Sequence, residues 1–123
     1  MKSTSFALLL ALISLANAQV KVESVPEGGL QPQVLVDAKG EVHLVYLKGD
    51  PKACDIRYTH RSSADTSWAE PITVNSIPNS AIAVGTIRGA QMALGRGGSV
   101  QVVWNGAPEK IGEKQHRSDR KST

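Results

Sequence analysis

Apolar and polar positions alternate through the middle of the chain. Val34 and Val36 alternate with Gln33 and Leu35. Val42, Leu44 and Tyr46 point one way, and His43 and Val45 the other. Ile56 and Tyr58 alternate with Asp55, Arg57 and Thr59, and a short run, Ile72-Thr73-Val74, follows. Successive side chains on a strand leave opposite faces, so this period of two predicts strands with one face packed and one less so. Turn chemistry separates the runs. Asp37-Ala38-Lys39-Gly40 predicts a four-residue hairpin loop with Gly40 free to take positive φ. Lys48-Gly49-Asp50-Pro51 carries a glycine and ends in a residue that cannot donate to a ladder. Arg61 to Trp68 is a polar connection, and loops this short join antiparallel neighbours. The expectation is an all-β fold opening with a four-stranded antiparallel meander over residues 33–36, 41–47, 55–60 and 71–74.

The pattern then restarts. Shifted by 58 positions, residues 30–46 fall on residues 88–104: Gln33 meets Gln91, Gly40 meets Gly98, Val42 meets Val100 and Val45 meets Val103. Other positions match in kind, Val34 with Met92, Val36 with Leu94, Leu44 with Val102 and Tyr46 with Trp104, and the first turn falls on Gly95-Arg96-Gly97-Gly98. A unit of four strands that repeats is the grammar of a β-propeller blade, although 58 residues exceed the usual blade of about 40 to 50. The excess lies in residues 75–85, which lead from the fourth strand to the next unit. The second unit stops at Trp104-Asn105-Gly106, after two strands. The predicted architecture is therefore one antiparallel four-stranded, propeller-type blade plus the first hairpin of a second.

The connection between the third and fourth strands reads Ser63-Ala64-Asp65-Thr66-Ser67-Trp68. It resembles a shortened Asp-box, the Ser-x-Asp-x-Gly-x-Thr-Trp turn of the bacterial neuraminidase repeat. Ser63, Asp65 and Trp68 match in type and order; the glycine and two residues before the tryptophan are missing. An Asp side chain can accept backbone N–H groups within its own turn, and a Trp can seal the loop against the sheet, so the role expected of these three is structural. The repeat region as a whole is similar to the sialidase-like β-propellers. That resemblance implies an exported, glycan-handling protein whose family hydrolyses sialic-acid glycosides.

The resemblance also directs attention to Ile87-Arg88-Gly89-Ala90. Sialidases open an innermost strand with Arg-Ile-Pro, whose arginine grips the substrate carboxylate, a task suited to a planar guanidinium. Here only Arg88 matches, which makes it the candidate substrate-binding residue; a solvated loop arginine is the competing account. The rest of a sialidase site, with three arginines, a Tyr–Glu nucleophile pair and an acid/base Asp, is not found. Tyr46 and Tyr58 lie within predicted strands with no Glu placed to pair with either, so no catalytic residue is assigned. His43, His60 and His116 lack metal-ligand spacing, and Gly95-Arg96-Gly97-Gly98 is followed by no helix that would make it a phosphate loop. No metal or cofactor is expected.

The two ends add the compartment. Lys2, an apolar run from Phe6 to Leu15 broken only by Ser14, and Ala16-Asn17-Ala18 form a secretory signal, cleaved after Ala18. The run is too short to span a bilayer, which takes about 20 residues. The mature chain is expected to be secreted or periplasmic. Its lone cysteine, Cys54, provides no disulfide framework and reads as a small core residue. Residues 19–106 carry eight Lys/Arg and eight Asp/Glu, so the net charge of +3 comes from Lys2 and the charged tail 107–123. A neutral body argues against a nucleic-acid partner, which needs a basic face. The tail is too polar to order itself by burial. Three readings stay open: an inactive fragment of a sialidase-like propeller, a non-catalytic β-module that binds a glycan or a protein, and a member that completes a propeller by self-association, for which exposed strand edges offer a route.

Overall fold

The computed structural model describes residues 19–106; residues 1–18, read from the sequence as a secretory signal, and the charged tail 107–123 lie outside the described residues. Six strands run in chain order: β1 (Leu30–Val36), β2 (Glu41–Asp50), β3 (Ala53–Ser62), β4 (Ile72–Thr73), β5 (Gln91–Leu94) and β6 (Val100–Val103). The first four form one sheet in the order β1-β2-β3-β4, and β5 and β6 form a separate hairpin; every pairing is antiparallel. Single 3-10 turns at Pro26–Gly28 and Arg96–Gly98 are the remaining regular elements among the described residues. The all-β expectation holds, and strands occupy all four positions of the meander.

The boundaries differ where tight turns compete with the alternation. Residues 48–50 continue β2 because Asp50 pairs with Ala53, which leaves Pro51-Lys52 as a two-residue turn. The Asp50 carboxylate accepts the Lys52 N–H at 2.8 Å and closes that turn. Gly49 stays in the ladder at φ 112°, a left-handed value that favours glycine. The fourth strand shrinks to Ile72–Thr73. Beyond Val74, whose N–H still bonds the Ile56 carbonyl, the Asn75 side chain takes over as the acceptor for the Ile56 N–H at 2.7 Å.

The two hairpins share one register at the 58-residue offset. Gln33↔Val45, Val34↔Leu44, Leu35↔His43 and Val36↔Val42 recur as Gln91↔Val103, Met92↔Val102, Ala93↔Gln101 and Leu94↔Val100. The turn closure recurs too: Asp37 N–H to Glu41 O at 3.0 Å becomes Gly95 N–H to Ser99 O at 2.8 Å. Gly40 and Gly98 occupy the same left-handed conformation, φ 82° and 78°, as the turn requires at that position.

The sheet and the hairpin close one core. Val45, Leu47, Cys54 and Ile56 on one face of the sheet pack against Ala81, Ala83, Ala90 and Met92, with Val100, Val102 and Trp104 alongside. Burying each of the larger aliphatic side chains stabilises the fold by about 1.5–3 kcal/mol. Cys54 is fully buried, its Sγ–H donates to the Ala81 carbonyl at 3.2 Å, and burial pushes its thiol pKa up. It is a core residue, as its place in the pattern predicts, and not a reactive thiolate. On the opposite face the chain preceding β1 crosses over Tyr46. A Cβ on Gly29 would lie 2.8 Å from the Tyr46 Cγ, so only glycine lets this crossing approach the ring.

Candidate functional site

Arg88 sits where the hairpin meets the sheet. It lines an open cleft of about 460 Å³ together with Gln31, Pro32 and Gln33 of β1 and Gly89, Ala90 and Gln91. The walls are set by a polar seam. The Gln33 side chain donates to Gln91 Oε1 at 3.2 Å and accepts the Met92 N–H. Gln31 donates to the Ala83 carbonyl at 3.1 Å. Gly89 lies so close to β1 and β2 that a Cβ there would fall 2.7 Å from Leu47 Cδ1. The Arg88 main chain is therefore pinned, with its carbonyl accepting from Asn105 Nδ2 at 3.5 Å. The side chain is exposed, and among the described residues its guanidinium makes no hydrogen bond or ion pair. The neighbouring amides are largely bonded to one another, so the open capacity in the cleft is cationic and suits a carboxylate.

The loop carrying Ser63, Asp65 and Trp68 joins β3 to β4 as its sequence position requires, but its parts work differently from an Asp-box. Trp68 is half-buried beneath Arg61, whose guanidinium carbon lies 4.4 Å from the ring centroid, so it does seal the loop against the sheet. Arg61 is held there by Glu23 at 2.9 Å. Ser63 fastens the loop through its backbone, its N–H donating to the Gly40 carbonyl at 2.9 Å. Asp65 is exposed, and among the described residues its carboxylate accepts no hydrogen bond. The turn-capping carboxylate is instead Asp37, whose Oδ1 accepts the Lys39 and Glu41 N–H groups at 2.8 and 2.9 Å. Those bonds, the one from Glu41 foremost, hold the Asp37 pKa below the usual carboxylate range.

One expectation from the sequence is corrected. A glutamate is paired with a tyrosine: the Tyr46 hydroxyl donates to Glu27 Oε2 at 2.6 Å, and Arg57 Nε donates to the same oxygen at 3.0 Å. Glu27 comes from the single turn before β1, a segment without alternation, so no pattern in the sequence aligns it with Tyr46. The cluster resembles a tyrosine–carboxylate nucleophile pair in composition only. Tyr46 has no accessible surface, and burial, then the Glu27 hydrogen bond, push its pKa up to about 12. A nucleophile needs access and an accessible phenolate; Tyr46 has neither and serves as an anchor for the entering chain.

A second polar cluster lies on the other face. The buried His43 shares a hydrogen bond of 2.8 Å with the Tyr58 hydroxyl, its Nε2 is 3.6 Å from Asp37 Oδ2, and His60 pairs with Glu41. The His43, Tyr58 and His60 rings cluster as a triangle, with all three centroid separations between 6.0 and 6.5 Å. Alternation alone places these cross-strand neighbours on one face, but only the register brings them opposite one another. Among the described residues no three His, Cys, Asp or Glu side chains converge as a metal site, and no helix is long and apolar enough to cross a membrane.

The fold and cleft define an all-β protein of one four-stranded antiparallel sheet with a packed second hairpin. No protein-family model, curated protein or solved structure matches the chain.

Proposed function

We propose that the chain is a sialidase-like repeat protein of the propeller type, exported to the periplasm or the exterior after cleavage at Ala18. In this reading Arg88 receives the carboxylate of a sialic-acid-type sugar, and the chain alone does not hydrolyse it. The observation that carries the reading is the direct hydrogen bond from Gln33 to Gln91, the same position in successive units. In a propeller, equivalent residues of neighbouring innermost strands lie side by side around the axis, and ligands enter at that end. β1 and β5 supply such a pair, and Arg88 stands beside it with its charge unspent. The non-catalytic part is supported by Tyr46, whose buried and raised hydroxyl is unsuited to act as a nucleophile.

Titration of the exported chain with N-acetylneuraminic acid tests the binding claim. Binding in the millimolar range, about 4 kcal/mol, is expected for one charged anchor in an open cleft. Arg88→Ala should weaken it at least tenfold, and the methyl ester, which lacks the charge, should not bind. Binding unchanged by Arg88→Ala would overturn the site. Release of sialic acid from a fluorogenic substrate by the purified chain would overturn the non-catalytic claim.

A further inference from the structure

Three glutamines line the Arg88 cleft, and their amide oxygens are engaged with one exception. Gln33 uses both ends of its amide, donating to Gln91 Oε1 and accepting the Met92 N–H. The Gln91 oxygen is thereby taken. Gln31 donates to the Ala83 carbonyl at 3.1 Å. A carbonyl only accepts, so the bonding end of the Gln31 amide is its nitrogen, and Oε1 is the end left over. Among the described residues that oxygen accepts no hydrogen bond. It lies over Gly89, where a Cβ would fall 2.9 Å from it, and Gly89 is next in the chain to Arg88. The backbone under this side chain is also unusual. Leu30 pairs with Leu47 and Gln33 with Val45, so Gln31 and Pro32 together stand opposite Tyr46 as a β-bulge. Gln31 takes φ 46°, a left-handed conformation that favours glycine. Glycine would satisfy the bulge with less strain, so what the position gains from glutamine is the amide. Bulges re-aim side chains beside sites, and strained residues other than glycine gather where ligands are held. The Ala83 bond accounts for one end of that amide only.

We infer that Gln31 determines the specificity of this cleft: while Arg88 takes a carboxylate, the Gln31 carbonyl oxygen accepts an O–H or N–H of the same ligand. The inference rests on the proposed binding of a carboxylate by Arg88. The ligand class it defines is a hydroxy- or acylamino-carboxylic acid, and a bare carboxylate is held at one point only. Gln31, Pro32 and Gln33 form one wall of the cleft and residues 88–91 the other, around a space of about 460 Å³. That is the size of a small-ligand site, so one molecule of sugar size reaches both walls. Gln31 is exposed there, as a ligand contact requires.

NMR titration of the exported chain with two probes tests this. N-acetylneuraminic acid carries a carboxylate, hydroxyls and an N–H; cyclohexanecarboxylate carries a ring and a carboxylate with no donor. Gln31→Met keeps the length of the side chain and removes the acceptor. It should weaken the sugar acid about fivefold, the worth of one neutral hydrogen bond, and leave cyclohexanecarboxylate within about twofold. Arg88→Ala should weaken both probes. If Gln31→Met unfolds the chain, Gln31→Gly, which relieves the left-handed backbone, is read by the same ratio of the two probes. A Gln31 variant that weakens both probes alike has only displaced a wall of the cleft, and one that weakens neither has removed no contact. Either result, with Arg88→Ala still weakening both, overturns the role of Gln31 and leaves the Arg88 site standing. Binding of both probes indifferent to Arg88→Ala, or binding of neither by the native chain, overturns the Arg88 site and this inference with it.

Discussion

Replacing Asn75 tests how the end of the first unit is held. This buried side chain makes three short hydrogen bonds: its Oδ1 accepts the Ile56 N–H at 2.7 Å, and its Nδ2 donates to Asp55 Oδ1 at 2.7 Å and to the Ile77 carbonyl at 2.8 Å. The first matters most, because Ile56 is fully buried and its N–H has no strand partner at that point. Leaving a buried N–H unsatisfied costs about 1–3 kcal/mol, and each of the other bonds contributes about 1 kcal/mol net. Water reaching the exposed Ile77 side recovers part of that sum, so Asn75→Ala should destabilise by about 2–3 kcal/mol. In urea, with a slope of about 1–1.5 kcal/mol per molar for a small domain, the midpoint falls by about 2 M. Trp68 and Trp104, both half-buried, report the transition by fluorescence. Asn75→Asp keeps the acceptor but sets a second carboxylate against Asp55, and should lose about as much. A midpoint shift below about 0.5 M in Asn75→Ala would show that the ladder, and not this side chain, secures β3.

Three other outcomes follow from the geometry. Tyr46, with its pKa raised to about 12, stabilises the folded state below the unfolded value near 10, and that stabilisation is lost as pH rises through 12; Tyr46→Phe should flatten this alkaline loss in pH-dependent urea titrations. Gly29→Ala should cost about 1–3 kcal/mol by thermal unfolding, because its methyl group would strike the Tyr46 ring; a neutral result would mean that the entering chain is not seated there. Asp65→Ala should change stability by less than about 0.5 kcal/mol, as for an exposed residue without partners, whereas Asp37→Ala should lower the melting temperature clearly; the reverse ranking would restore Asp65 as the turn-holding carboxylate.

The strands, their antiparallel order and the 58-residue repeat were legible because alternation and turn residues act locally. Val34, Val36, Val42 and Leu44 announce a face, and Gly40 and Gly98 announce the same turn twice. Glu27 was illegible because it reaches Tyr46 from a segment with no periodicity. Asp37 was legible as a turn residue but not as the carboxylate that performs the work expected of Asp65, since both are acids in polar loops and only the strand register shows which one meets free N–H groups. Arg88 could be selected only through its place before the second unit. The cleft around it depends on Gln31 and Gln33, one full repeat away in the chain.

The length of the repeat has a physical explanation that links these observations. Residues 75–85, which lead from the fourth strand towards the second hairpin, do not form an idle loop. Ala81 bridges Cys54 on the edge of β3 and Gly106 just past β6. Ile82 donates to the Asn105 carbonyl at 3.0 Å and Ala83 to the Pro51 carbonyl at 2.8 Å. The extra chain is therefore a strap that bonds both units at once. It buries Ala81 and Ala83 in the seam, and it starts from the Asn75 network. A two-stranded hairpin is marginal by itself and needs packing against another element. The strap supplies backbone partners to Asn105 and Gly106, just past β6. Loosening Asn75 should consequently reduce protection of the Ile82 and Ala83 amides from hydrogen exchange before it affects the hairpin β1–β2. Exchange that accelerates equally in both places would mean that the strap and the sheet open together as one cooperative unit.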